Sequence, residues 1–216
     1  MRRLLPIFLI MLLSMNTLLT AKAKPVKLLN KNNSIFEQFR WQGIIQVQSS
    51  AFSIRMYYVL AKNKDAIRLD IMDSGIMGLT AEPLVRLYMK ENIVLDAPSI
   101  NQLQGLDPNW FIPPEAVHGL IHMTDSLQTK QAEIIAKHKF TAGNSVFIYD
   151  KKYRLSQIKS ADFGFEALII YNRHNQPDKI SFKFRGKPIA ELQIDKREYE
   201  NIEIVPLDML QNSKEQ

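Results

Sequence analysis

Trp41-Gln42-Gly43-Ile44-Ile45-Gln46-Val47-Gln48 decides the fold, because its side chains alternate and can serve only one face of a sheet at a time. Trp41, Gly43, Ile45 and Val47 stand on one side, and Gln42, Ile44, Gln46 and Gln48 on the other. Downstream, Phe52, Ile54, Met56, Tyr58 and Leu60 oppose Ser53, Arg55, Tyr57 and Val59. Ile67, Leu69 and Ile71 then oppose Arg68, Asp70 and Met72. The connectors Ser49-Ser50-Ala51 and Lys62-Asn63-Lys64-Asp65 are short and polar, as hairpin loops are. Three consecutive antiparallel strands with one apolar face follow.

The period of two continues outward from this block. Met77–Thr80, Leu84–Met89 and Ile93–Asp96 read as strands. In the C-terminal half Ser145–Tyr149, Tyr153–Ile158, Phe165–Asn172, Lys179–Arg185 and Ile189–Ile194 repeat the pattern, with Asn201–Val205 as a possible last strand. The expected class is mainly β, with about ten or eleven strands. A sheet of that size covers its apolar face by forming two layers or by curling into a partial barrel.

Residues 97–139 break the alternation. Pro113 and Pro114 sit where a helix can begin, Val117, Leu120 and Ile121 share a helical face, and Thr124–His138 reads as a further helix. Ser34, followed at the third position by Glu37, reads as the capping box of a short helix carrying Ile35, Phe36 and Phe39. Residues 212–216 read as a flexible tail.

At the other end, Arg2 and Arg3 precede an apolar run from Leu4 to Leu19, and Thr20-Ala21-Lys22-Ala23 offers small residues for cleavage. Residues 1–23 therefore read as a signal peptide, and residues 24–211 as one domain containing the insert. A retained anchor would call for a longer apolar run. A lipoprotein would need a cysteine at the cleavage point, and the chain has none. Neither does any disulfide support the core of this exported chain.

The 28 basic and 22 acidic residues of the whole chain become 25 and 22 once Arg2, Arg3 and Lys22 are removed, a formal net charge of +3. That mild, dispersed charge argues against nucleic acid as a partner.

Few motifs carry chemistry. His118 and His122 stand four apart, a metal-compatible spacing on a helix, with Glu115 or Asp125 as conceivable third ligands. No glutamate lies between the histidines, so the zincin pattern is absent. There is no nucleophile elbow and no glycine-rich phosphate loop. Asp70, Asp73, Glu82 and Asp96 read as solvated outer-face charge. No enzyme activity, metal or cofactor is expected.

Several stretches together resemble the LolA/LolB-like family of periplasmic lipoprotein carriers and receptors. These are Phe39-Arg40-Trp41-Gln42-Gly43 as the first strand opens, Ile67-Arg68-Leu69-Asp70-Ile71-Met72-Asp73-Ser74-Gly75, the insert around Pro113-Pro114-Glu115-Ala116-Val117-His118-Gly119-Leu120, and the final strands from Glu166 to Ile194. The resemblance spans the mature chain but is diffuse.

It implies an incomplete antiparallel barrel of about eleven strands under a helical lid, whose apolar cavity shelters acyl chains. It also implies a periplasmic location, lipid or lipoprotein acyl chains as ligand, an inner-membrane partner for loading, an outer-membrane acceptor and transient membrane contact. Lacking a lipidated cysteine, the chain looks more like the soluble carrier than the receptor.

The cavity candidates are Trp41, Ile45, Val47, Phe52, Ile54, Met56, Leu69, Ile71, Phe182, Phe184 and Leu192; the lid candidates are Phe111, Val117, Leu120 and Ile121. Where the receptor carries a protruding apolar loop this chain has Ser74-Gly75-Ile76-Met77-Gly78, so Ile76 or Met77 either touches a membrane or partner or tucks into the core. Without the resemblance, all of these residues read as ordinary core. The alternatives to a carrier are an envelope scaffold with the same fold and a filled core, and a hydrolase or metal enzyme at the insert.

Overall fold

A computed structural model describes residues 24–48, 53–72, 83–97, 123–142, 144–160 and 164–207. Helix α1 (24–34) leads into strand β1 (Phe39–Gln48), followed by β2 (Ser53–Lys62), β3 (Ile67–Met72), β4 (Pro83–Met89) and β5 (Ile93–Asp96). After helix α2 (Met123–Lys137) come β6 (Lys139–Ala142), β7 (Ser145–Tyr149), β8 (Leu155–Ser160), β9 (Phe165–Tyr171), β10 (Pro177–Phe184) and β11 (Lys187–Glu198).

The eleven strands form one antiparallel sheet in the order β5-β4-β3-β2-β1-β11-β10-β9-β8-β7-β6. The sheet is not closed, since β5 and β6 stand at its two edges. The first and last strands meet at the centre, where β1 pairs with β11, so the two hairpin series β1–β5 and β6–β11 are joined along one seam.

Gly43 makes that seam possible. The β1–β11 register shifts between Gln42 and Gly43, and a side chain at Gly43 would run into the carbonyl oxygen of Gln193. Tyr58, opposite Gly43 on β2, donates its hydroxyl to that carbonyl at 3.3 Å. The space beside Gly43 is thus taken by the Gln193 carbonyl, which the Tyr58 hydroxyl holds in place.

The apolar face of the sheet carries the core. Trp41, Ile45, Tyr58, Phe140, Phe147, Leu155, Ile169, Ile180, Leu192 and Ile194 form one buried cluster with Leu29 of α1 and Ile134 of α2. Both helices therefore seal this inner face. They are also tied together, because Gln131 Nε2 donates to Asn30 Oδ1 at 2.8 Å. Asn32 Nδ2 fastens α1 to the β7–β8 turn by donating to the carbonyls of Lys152 (2.7 Å) and Tyr153 (3.1 Å).

Local structure departs from the sequence expectation at four places. Ser34 ends the first helix instead of starting one: α1 lies before it, residues 35–37 turn, and Ser34 Oγ donates back to Lys31 O at 2.9 Å. Tyr153 belongs to the β7–β8 turn, with a φ of 56°, and β8 begins at Leu155. Lys139–Ala142 forms a strand where alternation over four residues was too short to read. Asn201–Val205 is irregular, because side chains take its carbonyls: Arg40 donates to Glu203 O at 3.0 Å and Arg68 to Val205 O at 2.8 Å. This segment crosses the outer face of the sheet, and its neighbour Leu207 is buried with Ala66 and Tyr88.

Candidate functional site

Strand direction divides the inner face into two ends. The β2–β3, β4–β5, β7–β8 and β9–β10 connections lie at one end, together with the α1–β1 and α2–β6 junctions. The β10–β11 turn, the start of β2 and the end of β3 lie at the other, here called the distal end.

The helix end is filled. Trp41 stacks on Phe39 with ring centroids 3.9 Å apart and meets Phe36 edge-on at 6.0 Å. Phe140 stacks on Phe147 at 4.7 Å and touches Tyr149. Ion pairs and caps brace the connections. Asp150 accepts from the backbone of Lys152 and Arg154 and pairs with the Arg154 guanidinium at 2.6 Å. Arg154 also lies over the Tyr171 ring at 4.5 Å and donates to Asn175 Oδ1, so it links two neighbouring turns. Partial burial raises the Asp150 pKa, but the hydrogen bonds from Arg154 and Lys152 and the Arg154 charge outweigh it and hold the carboxyl below its ordinary value near 3.8.

Buried and half-buried tyrosines complete this end. Burial pushes the hydroxyls of Tyr58, Tyr149, Tyr171 and Tyr199 up, so each stays neutral across the physiological range. Asn33 faces Tyr149 and Trp41 faces Tyr199, close enough to oppose those shifts without forming hydrogen bonds of full geometry.

Toward the distal end the same face opens. Of the cavity candidates, Trp41, Ile45 and Leu192 are buried, while Val47, Met56, Leu69, Ile71 and Phe182 are half-buried against the cluster. Ile54, opposite Val47 in the β1–β2 register, is 46% exposed, and Phe184 is 42% exposed. These ten residues form a continuous apolar strip across β3, β2, β1, β11 and β10. The registers bring Ile45 beside both Met56 and Leu192, and Leu60 beside Leu69.

Phe52, the lid candidates Phe111, Val117, Leu120 and Ile121, the loop candidates Ile76 and Met77, and both His118 and His122 lie outside the described residues, as do residues 1–23 and 212–216.

The strip has a second half that sequence reading left unmarked. Phe165, Ala167 and Ile169 of β9 continue it beyond β10, with the Phe165 and Phe182 rings 5.8 Å apart. The signal was faint because β9 is apolar on both faces: Leu168 and Ile170 point the other way and stay 36% and 44% exposed. Asp70 and Asp96 lie on the outer face, but they are not freely solvated as expected: each is part-buried in an ion pair, to Arg68 at 3.0 Å and to Arg86 at 2.9 Å. Among the described residues no cluster of three potential metal ligands occurs, and no helix is long and apolar enough to cross a membrane.

No family model and no curated protein matches the sequence. Among solved structures, the chain is similar to a LolA superfamily protein from Nitrosomonas europaea. The TM-score is 0.47 at 10% sequence identity, over 82% of this chain and 94% of that one.

Proposed function

We propose that this protein is a periplasmic carrier that shelters the acyl chains of lipoproteins or lipids on the inner face of its open sheet and passes them toward the outer membrane. The observation that carries the proposal is the gradient along that face, from filled at the helices to half-exposed apolar surface at Ile54, Phe165 and Phe184. What supports the reading is that these three residues continue the buried cluster on one face, so the apolar surface runs unbroken from the core to the distal end. An acyl chain in water costs about 0.8 kcal/mol per methylene, so a long chain costs roughly ten. An apolar strip that accepts the chain removes most of that cost and brings transfer from a membrane close to balance. Loading from an inner-membrane partner and release to an outer-membrane acceptor then need only small differences in burial. The chain works as a binding protein in this reading, without catalysis or a cofactor.

Native mass spectrometry with lipid extraction, on the protein purified from the periplasm, tests this. A lipid or acylated-protein adduct that disappears in Ile54→Asp or Phe182→Asp is the expected result. A clean apo mass, with added lipids neither binding nor shifting the melting temperature, overturns it.

The second reading, an envelope scaffold, draws on the tightly filled helix end, where Trp41, Tyr58, Phe140 and Phe147 are fully buried. It is separated by a stable protein partner recovered without lipid.

A further inference from the structure

The β10–β11 turn projects from the distal end as Phe184-Arg185-Gly186-Lys187. Arg185 (φ 48°) and Gly186 (φ 77°) are both left-handed, the geometry of the tight hairpin turn whose twist matches its strands. The strained position could be held by an asparagine at lower cost, yet an arginine occupies it, with its guanidinium stacked over Phe184 at 5.2 Å. From Lys179 to Ala190 the sequence contains Lys179, Lys183, Arg185 and Lys187 and no acidic residue.

The neighbouring charges of the described residues do not cancel this. Glu166, opposite Lys183 on β9, is paired with Lys159 at 3.7 Å, and Glu191 on β11 is paired with Lys179 at 2.9 Å. Lys183, Arg185, Lys187 and the exposed Arg55 at the same end of β2 form no ion pair with any described residue. Among the described residues, the carboxylates near the turn are therefore already paired, while these four cations are not.

Apolar groups share this end. Ile54 on β2, Phe184 on β10 and Phe165 on β9 lie along it, each more than a third exposed. A row of apolar side chains backed by unpaired cations matches the two layers of an anionic bilayer surface: apolar groups enter the acyl boundary while Lys and Arg stay at phosphate level.

We infer that the distal end, led by the β10–β11 turn, docks on anionic phospholipid membranes. This goes beyond the carrier reading and does not depend on it, since a protein with a filled core would dock in the same way. An aromatic residue at the tip is what favours a bilayer over an acidic protein partner, which the cations alone would also suit.

Flotation with vesicles tests it, comparing pure phosphatidylcholine with vesicles containing roughly one third phosphatidylglycerol. The exported protein is expected to float with the anionic vesicles and not with the neutral ones, and to be released by added salt. Reversing Lys183, Arg185 and Lys187 together to Glu lowers binding by about tenfold or more, and Phe184→Ser lowers it by about a few-fold. Lys151→Glu with Lys152→Glu, at the opposite end of the sheet, leaves it unchanged. The variants change exposed side chains except at Lys183, which is half-buried, and unchanged melting temperatures confirm that they fold. Absence of wild-type binding, equal binding to both vesicle types, or full binding by the triple variant overturns the inference. Docking without a lipid adduct breaks the carrier reading alone; an adduct without anionic selectivity breaks this one alone.

Discussion

The two ends of the inner face use the same strands and differ in what covers them. At the helix end, α1 and α2 supply Leu29 and Ile134, and aromatic side chains from β1, β6 and β7 stack beneath them. At the distal end, the same alternation places Ile54, Phe165 and Phe184 on the same face, and more than a third of each remains exposed. The difference teaches that a period of two assigns a side chain to a face but not to a depth. Depth depends on what lies across from the strand, and that is set by elements remote in sequence.

If the comparison holds, truncation should cost most at the helix end. Phe140→Ala removes a fully buried ring stacked on Phe147 and should destabilise by about 3–5 kcal/mol. Denaturant unfolding measures it, and a loss below about 1 kcal/mol would mean that this end is not the tightly filled one.

The seam between the two hairpin series should be nearly as sensitive. Gly43→Ala places a methyl group against the Gln193 carbonyl, a backbone atom that cannot rotate away. The expected cost is about 3 kcal/mol, or failure to fold, because β1 must separate from β11 or shift its register. Tyr58→Phe, which loses only the hydroxyl contact at 3.3 Å, should cost about 1 kcal/mol and serves as the reference. Equal effects from the two substitutions would show that the seam adapts.

The helix end should also respond to acid. Asp150 has a folded pKa below its ordinary value near 3.8, so its contribution is fully present above that value and is lost as pH falls through the folded pKa. Asp150→Asn should therefore cost about 1–2 kcal/mol at neutral pH, and the gap from wild type should narrow as the pH drops below about 4. Acid titrations of both proteins by circular dichroism check this. A gap that stays constant with pH would assign the cost to lost geometry and not to charge.

Much of this architecture was legible because β1, the first half of β2, β3, β10 and β11 largely alternate between apolar and polar residues. The mainly β class and the inner-face placement of Trp41, Ile45 and Leu192 follow from that periodicity, whereas the open, incomplete barrel was implied only by the family resemblance. Four-residue β6 carried too little pattern, and β9, apolar on both faces, gave no clear inner side. The start of the first helix was misplaced because Ser34 and Glu37 form a valid capping pattern locally, while Leu29 is drawn into the core from further upstream. The C-terminal segment defeated prediction for a different reason. Its backbone is satisfied by Arg40, Arg68 and Asn63, which are remote in sequence, so no local pattern announces it.

The smallest stability effect should come from the distal end, and it separates the two functional readings most cleanly. Ile54→Ser alters a side chain that is 46% exposed, opposite the half-buried Val47. Little burial is lost, so unfolding free energy should change by no more than about 0.5 kcal/mol. If the distal strip carries an acyl chain, the same substitution should weaken lipid loading several-fold, because a polar group then lines a surface that must take methylenes out of water. Stability and loading would be uncoupled at this residue, whereas at Phe140 any loss of loading should simply follow loss of fold. If Ile54→Ser instead destabilises by about 2 kcal/mol or more, its side chain is core in solution and the distinction between the two ends fails. If neither stability nor loading moves, the exposed apolar strip has no ligand, and the scaffold reading gains the ground that the carrier loses.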